Sequence, residues 1–160
     1  MVSIRKATPA DAPAIFALVQ ELAEFEKAAD QVETSVERYL EDGFGESPVF
    51  RCLVADHEQE GVVGIALYYY GYSTWKGKLL YLDDLVIKEA FRRQGIGRRL
   101  VDALVQAGLE ANARMMKWQV LDWNEPAIKM YESLGGKFDG EWIDVKITRA
   151  QMESWPGLAQ

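Results

Sequence analysis

Cysteine and histidine are nearly absent: Cys52 and His57 are the sole representatives of each. One cysteine rules out an internal disulfide, and one of each is too few for a zinc centre, so metal catalysis has no footing here. Cys52 sits in the apolar run FRCLVA, with no helix start or clustered cations beside it, and reads as a small core residue rather than a nucleophile. His57 falls in the polar stretch DHEQEG, a solvated turn. Long apolar runs are missing too. No stretch approaches the ~20 residues of a membrane span, and the opening MVSIRKATPADA lacks the apolar core of a signal peptide, so a cytoplasmic protein with no membrane partner is expected. Cations are in deficit, 18 Lys and Arg against 25 Asp and Glu. The resulting net charge of -7 argues against nucleic acid as a partner and favours cationic ligands.

What is present is enough apolar material, 49% of 160 residues, for one domain over 1–160 with a proper core. Residues 2–7 alternate like a strand. Thr8, Pro9 and Asp11 open a helix over 9–24, with Ile15, Leu18, Val19 and Leu22 at helical spacing. Thr34 or Ser35 caps a second short helix through Leu40, ended by the turn DGFGESP. Strands are expected over 49–55, 62–72 and 78–87, as a meander of β-branched and aromatic residues. A long helix over 95–112 follows, and MMKWQVL returns as a strand parallel to its predecessor through a right-handed crossover. A helix over 125–134 stops at Gly135 and Gly136, GEWIDVKIT reads as a last strand, and the tail holds one short helix. The pattern is an α/β or α+β domain around a mixed sheet.

Chemistry concentrates in LLYLDDLVIKEAFRRQGIGRRL. Gly95 and Gly97 free the backbone to turn its N–H groups toward one point, and the helix starting there adds the positive end of its dipole. That is an anion site. Arg92, Arg93, Arg98 and Arg99 add four guanidiniums in and just beyond the loop, which suits a pyrophosphate better than a lone carboxylate. A dinucleotide loop needs a third glycine where Leu100 stands, and the Gly-Lys-Ser/Thr of a P-loop is absent.

Asp83 and Asp84 interrupt the preceding strand, where a buried unpaired carboxylate is costly. Consecutive strand residues point to opposite faces, so one aspartate is expected to face a cleft while the other supports it. A solvent-facing strand edge is the other reading. Tyr131 follows Asn124 by seven residues, so both fit one helix face, and a phenol there is either a proton donor or an ordinary core tyrosine.

ELAEFEK with DQV, then DGFG, YSTWKGK, LYLDDLVI, FRRQGIG and VLDWNEPAIKMYESLG resemble the spermidine/spermine N-acetyltransferase branch of the GNAT superfamily, in particular its thialysine-acetylating members. The resemblance implies a GNAT-type mixed, mostly antiparallel sheet with a splayed parallel pair, flanked by helices. It also implies acetyl-CoA as co-substrate, a small cationic amine as acceptor, no metal, and a homodimer. It assigns Tyr131 as the acid that protonates the leaving thiolate and Asp83 as the carboxylate linked to deprotonating the amine. The family has glutamate at that position, so Asp83 is one methylene short; it acts directly, through a water, or only by holding the substrate cation. Leu85, Val86 and Ile87 would pair with pantetheine. Arg92, Arg93, Gln94, Gly95, Ile96, Gly97 and Arg98 would hold the pyrophosphate, with Asn124, Pro126, Ala127 and Tyr131 also on the coenzyme. Phe25, Glu26, Asp83, Asp84 and Glu141 fall on substrate positions, and Ser73 stands where polyamine enzymes have an aspartate. A protein lysine acetyltransferase and a non-catalytic acyl-CoA or polyamine sensor are the rival readings.

Overall fold

The computed structural model describes residues 1–158 and divides into two compact units, Met1–Gln119 and Val120–Gln160. In the first, five strands form one sheet in the order β1-β2-β3-β4-β5: Val2–Lys6, Arg51–His57, Gly61–Ser73, Gly77–Ile87 and Met115–Lys117. β1 through β4 pair antiparallel, while β5 runs parallel to β4 as the crossover through a helix requires. Helices α1 (Ala12–Phe25), α2 (Val36–Phe44) and α3 (Ile96–Glu110) belong to the same unit.

Two-residue alternation along the strands produces a separate core on each face of the sheet. Leu53, Ala55, Ala66, Tyr68, Leu80 and Leu82 point to one side and pack with Ile96, Leu100 and Leu104 of α3. Cys52, Val54, Ile65, Leu67 and Val86 point to the other and pack with Ile15 and Leu18 of α1. The first turn of chain is pinned by charge. Arg5 on β1 donates through both terminal nitrogens to Asp11 at 2.8 and 2.9 Å, and through Nε to Asp56 on β2 at 2.8 Å. Asp11 also accepts from the Thr8 N–H at 2.7 Å, closing a capping box at the helix entrance. The Arg5 hydrogen bonds hold the Asp11 carboxyl down at about 2.

Three expectations change. α2 does not stop at Leu40 but continues through Gly43 to Phe44, because the Gly43 backbone stays outside the left-handed region and only Gly45 leaves the helix, in extended backbone. His57 ends β2 rather than floating in a turn: its Nδ1 accepts from the N–H groups of Gln59 and Glu60, both at 3.2 Å, and its ring packs on Phe91. GEWIDVKIT forms no strand among the described residues, and MMKWQVL contributes only Met115–Lys117. Alternation gives a segment a strand-like surface, but a strand exists only where another edge takes up its hydrogen bonds, and Trp142, Ile143 and Val145 stay exposed.

In the second unit, α4 (Glu125–Ser133) is capped by Asn124, whose side chain accepts from the Ala127 N–H, and it stops at the left-handed Gly135. α5 (Arg149–Glu153) is capped by Thr148. Among the described residues, no helix is long and apolar enough to cross a membrane.

Candidate active site

The pairing of β3 with β4 slips by one residue. Leu67 pairs with Asp84, yet the next residue, Tyr68, pairs with Leu82, so Asp83 is an extra residue on β4. Such a bulge resets the alternation. Before it, Leu80 and Leu82 face α3; after it, Leu85 and Ile87 pack on that same core while Val86 faces α1. Asp83, next to Leu82, and Asp84, next to Leu85 and two residues before Val86, therefore both face the α1 side. The expectation that the two aspartates point to opposite faces is corrected on this ground.

Both carboxylates line one cavity of about 270 Å³, with Thr34, Tyr39 and Asp42 from the α2 region, Val49 and Phe50 before β2, and Leu67 and Tyr69 of β3. Acid and aromatic surface thus share one chamber. Burial, with the charges of Asp83 and then Glu26 behind it, pushes the Asp84 carboxyl up to about 7. Burial also raises Asp83, which is the more exposed of the two. Glu26, at the end of α1, is raised by burial and then by the charge of Asp83. Tyr39 is driven up to about 12, chiefly by burial and then by Asp84 and Asp83. Each shift has burial as its first cause: with water withdrawn the charged form is disfavoured, and a cation arriving with a ligand would favour it again. Asp42, Tyr39 and Phe50 were not singled out in the sequence, because nothing local marks residues that meet only through the packing of α2 on the sheet. Cys52 is buried and its thiol pushed up to about 12, mainly by burial, so it stays protonated.

β4 leads from the aspartates straight into the basic loop. Gly95 is the N-cap of α3, with φ of 78°, and a Cβ there would meet nothing within 4 Å, so it is the left-handed backbone rather than space that requires glycine. No side chain caps this helix, leaving first-turn N–H groups available to an anion. Arg93 shares the positive φ, at 60°. The guanidiniums do not all gather there. Arg92 donates from Nε to the Ile87 carbonyl at 3.0 Å, Arg98 pairs with Asp102 at 2.8 Å, and Arg99 reaches the Val2 carbonyl at 2.9 Å. Gln94 donates to the Ala90 carbonyl at 3.1 Å. Backbone amides are the common feature of the loop.

Of the remaining sequence-selected residues, Leu85 and Ile87 are half-buried and Val86 buried within β4. Phe25 is 48% exposed at the end of α1. Asn124, Pro126, Ala127 and Tyr131 belong to the second unit, the first as the cap of α4 and the last two turns along it. Glu141 is exposed in the extended stretch after α4, its N–H donating to Asp139 at 3.2 Å.

The model of the Acetyltransferase (GNAT) family matches residues 15–136. Thialysine N-epsilon-acetyltransferase of Bos taurus is 43% identical over 143 residues, 85% of this chain and 84% of that protein. The Mus musculus protein of that name is 41% identical over 164 residues, 96% of each. Spermidine/spermine N(1)-acetyltransferase-like protein 1 of Homo sapiens is 37% identical over 82% of this chain and 20% of its own length. Among solved structures, an aminoglycoside acetyltransferase from an uncultured soil metagenomic sample shares the fold, with TM-score 0.74 at 20% identity over 92% of this chain and 95% of that one. With the matched family model spanning most of the chain, the protein belongs to the GNAT acetyltransferase family and is an N-acetyltransferase.

Proposed function

We propose that the protein transfers the acetyl group of acetyl-CoA to the primary amine of a small cationic substrate, a thialysine- or lysine-like amino acid, a diamine or a polyamine, by direct attack in a ternary complex. One observation carries this reading: the bulge in β4 turns two carboxylates into the same cavity, on the strand that leads toward the start of α3, which no side chain caps. Family membership and the names of the mammalian relatives support the class of acceptor.

The substrate ammonium is drawn by Asp83, Asp84, Asp42 and Glu26, with Phe25 and Glu141 as further substrate positions. A free alkylamine has a pKa near ~10.4, so it arrives protonated and must lose a proton before it attacks. Asp83 accepts that proton directly or through water. The amine nitrogen then bonds to the thioester carbonyl carbon, the C–S bond breaks, Tyr131 gives its proton to the departing thiolate, and the second proton that the nitrogen sheds as the amide forms restores the phenol. No acyl-enzyme forms, in keeping with the inert Cys52. The backbone of Leu85, Val86 and Ile87 pairs with pantetheine as another strand would, and the loop from Arg92 to Arg98 takes the pyrophosphate, with Asn124, Pro126 and Ala127 completing the coenzyme contacts. The working unit is a cytoplasmic homodimer, checked by sedimentation.

The test is acetyl-CoA consumption against thialysine, lysine, 1,3-diaminopropane, spermidine and a lysine-containing peptide, with kcat/KM for the best two. A free amine as best acceptor is expected. A peptide preferred over every free amine, or coenzyme binding without turnover on any, overturns the proposal.

A further inference from the structure

Gly43 occupies the last turn of α2, where glycine costs about 1 kcal/mol relative to alanine. Its backbone does not require glycine, since its φ lies outside the left-handed region. Space does. A Cβ built on Gly43 would overlap Phe50 Cζ and stand 2.5 Å from Cε2 and 3.0 Å from Cε1, where ordinary contact is 3.4–4 Å. The Phe50 ring therefore lies with its tip on the bare Cα of Gly43.

Two more residues of α2 hold that ring. It meets Tyr39 edge-on at 5.5 Å and Phe44 edge-on at 6.4 Å, and Tyr39 is in turn braced by Phe16 at 5.4 Å. Phe50 and Tyr39 are also walls of the cavity that holds Asp83 and Asp84. A side chain at position 43 forces the ring tip away from α2, and because the ring is a wall of the cavity, its displacement alters the room inside. We infer that Gly43, which does not itself line the cavity, is a specificity-determining positioning residue: by giving Phe50 room to lie back on α2, it sets how bulky an amine the acidic chamber admits. The inference rests on the amine-acetylating reading above.

The experiment compares wild type, Gly43→Ala, Phe50→Leu and the double variant on 1,3-diaminopropane, lysine and spermidine at saturating acetyl-CoA. A change of one methylene in pocket room is worth about ten-fold or more in kcat/KM. Gly43→Ala is expected to lower the ratio of kcat/KM for the bulkiest to the slimmest accepted amine by that factor, through KM rather than kcat. Phe50→Leu in the same chain is expected to restore the ratio, because the shorter side chain clears the new methyl. An unchanged ratio in Gly43→Ala, a uniform loss on all amines, or a loss that Phe50→Leu does not restore overturns the inference. Should Gly43→Ala not fold, Phe50→Leu alone decides: a shift toward the bulkier amine supports the inference, and an unshifted ratio overturns it. Absence of wild-type turnover on every amine is a different result, which removes the proposed function and this inference together.

Discussion

Replacing Asp84 with asparagine isolates the cost of building an acidic chamber. In the folded chain this carboxyl titrates at about 7 against an ordinary 3.8, chiefly because burial strips water from its charged form. Between those two values the native protein binds a proton that the unfolded chain has released, so stability must fall as pH rises from about 4 to about 7. The sign is opposite to that of a salt-bridged carboxylate. A span of about three pH units at 1.36 kcal/mol each gives about 4 kcal/mol as the upper limit for this one group. Asparagine keeps the shape and removes the titration. Urea unfolding at pH 4.5 and pH 8 should show wild type losing stability across that interval, by up to about 3 kcal/mol from this group, while Asp84→Asn loses clearly less and is the more stable protein at pH 8. If both proteins decline equally, Asp84 is not a desolvated carboxylate, and the reasoning about the cavity fails with it.

Arg5→Ala strands Asp11 and Asp56 and should destabilise by about 1–3 kcal/mol at pH 7, the lower end reflecting the partial exposure of the Arg5 side chain. Because Asp11 is held at about 2 against 3.8, its contribution is fully present above pH 4 and disappears as pH falls toward 2, so the gap to wild type in acid unfolding should close over that range; a constant gap refutes the assignment. Gly95→Ala places a Cβ on a left-handed residue with no steric neighbour, so it should cost about 1–2 kcal/mol from backbone strain alone and weaken acetyl-CoA binding in calorimetry. Unchanged stability would mean that α3 does not begin as described. Cys52→Ala should retain turnover, and native Cys52 should resist iodoacetamide until unfolding, whereas rapid labelling would contradict a buried thiol pushed up to about 12. Leu104→Ala should cost about 2–5 kcal/mol in urea, since Leu104 is fully buried between α3 and the sheet; a loss under 1 kcal/mol would mean that this core is loosely packed.

Much of the candidate site was legible because its signals are local. Gly95 opening a helix after a strand needs only the allowed φ of one residue and the direction of one set of amides, and the sequence states both. The arginines were legible as charges but not as contacts: Arg99 finds the Val2 carbonyl 97 residues away in sequence, and Arg98 turns along its own helix to Asp102. Fold class followed from the change of apolar period from two to nearly four along the chain. The expected last strand failed because its alternation has no described edge to join.

By itself the sequence determined where the helices and the first four strands lie, which faces they bury, and that a basic glycine loop caps α3, since these depend on periodicity and on the backbone freedom of single residues. It did not determine that Asp83 and Asp84 look the same way. That was decided by a one-residue slip between β3 and β4, and the register of a strand is a property of the pair. The placing of Phe50 against Gly43 was likewise settled only in three dimensions: the chain leaving α2 turns back so that the Val49 N–H donates to the Asp42 carbonyl at 2.7 Å, a return that no periodicity in the sequence marks.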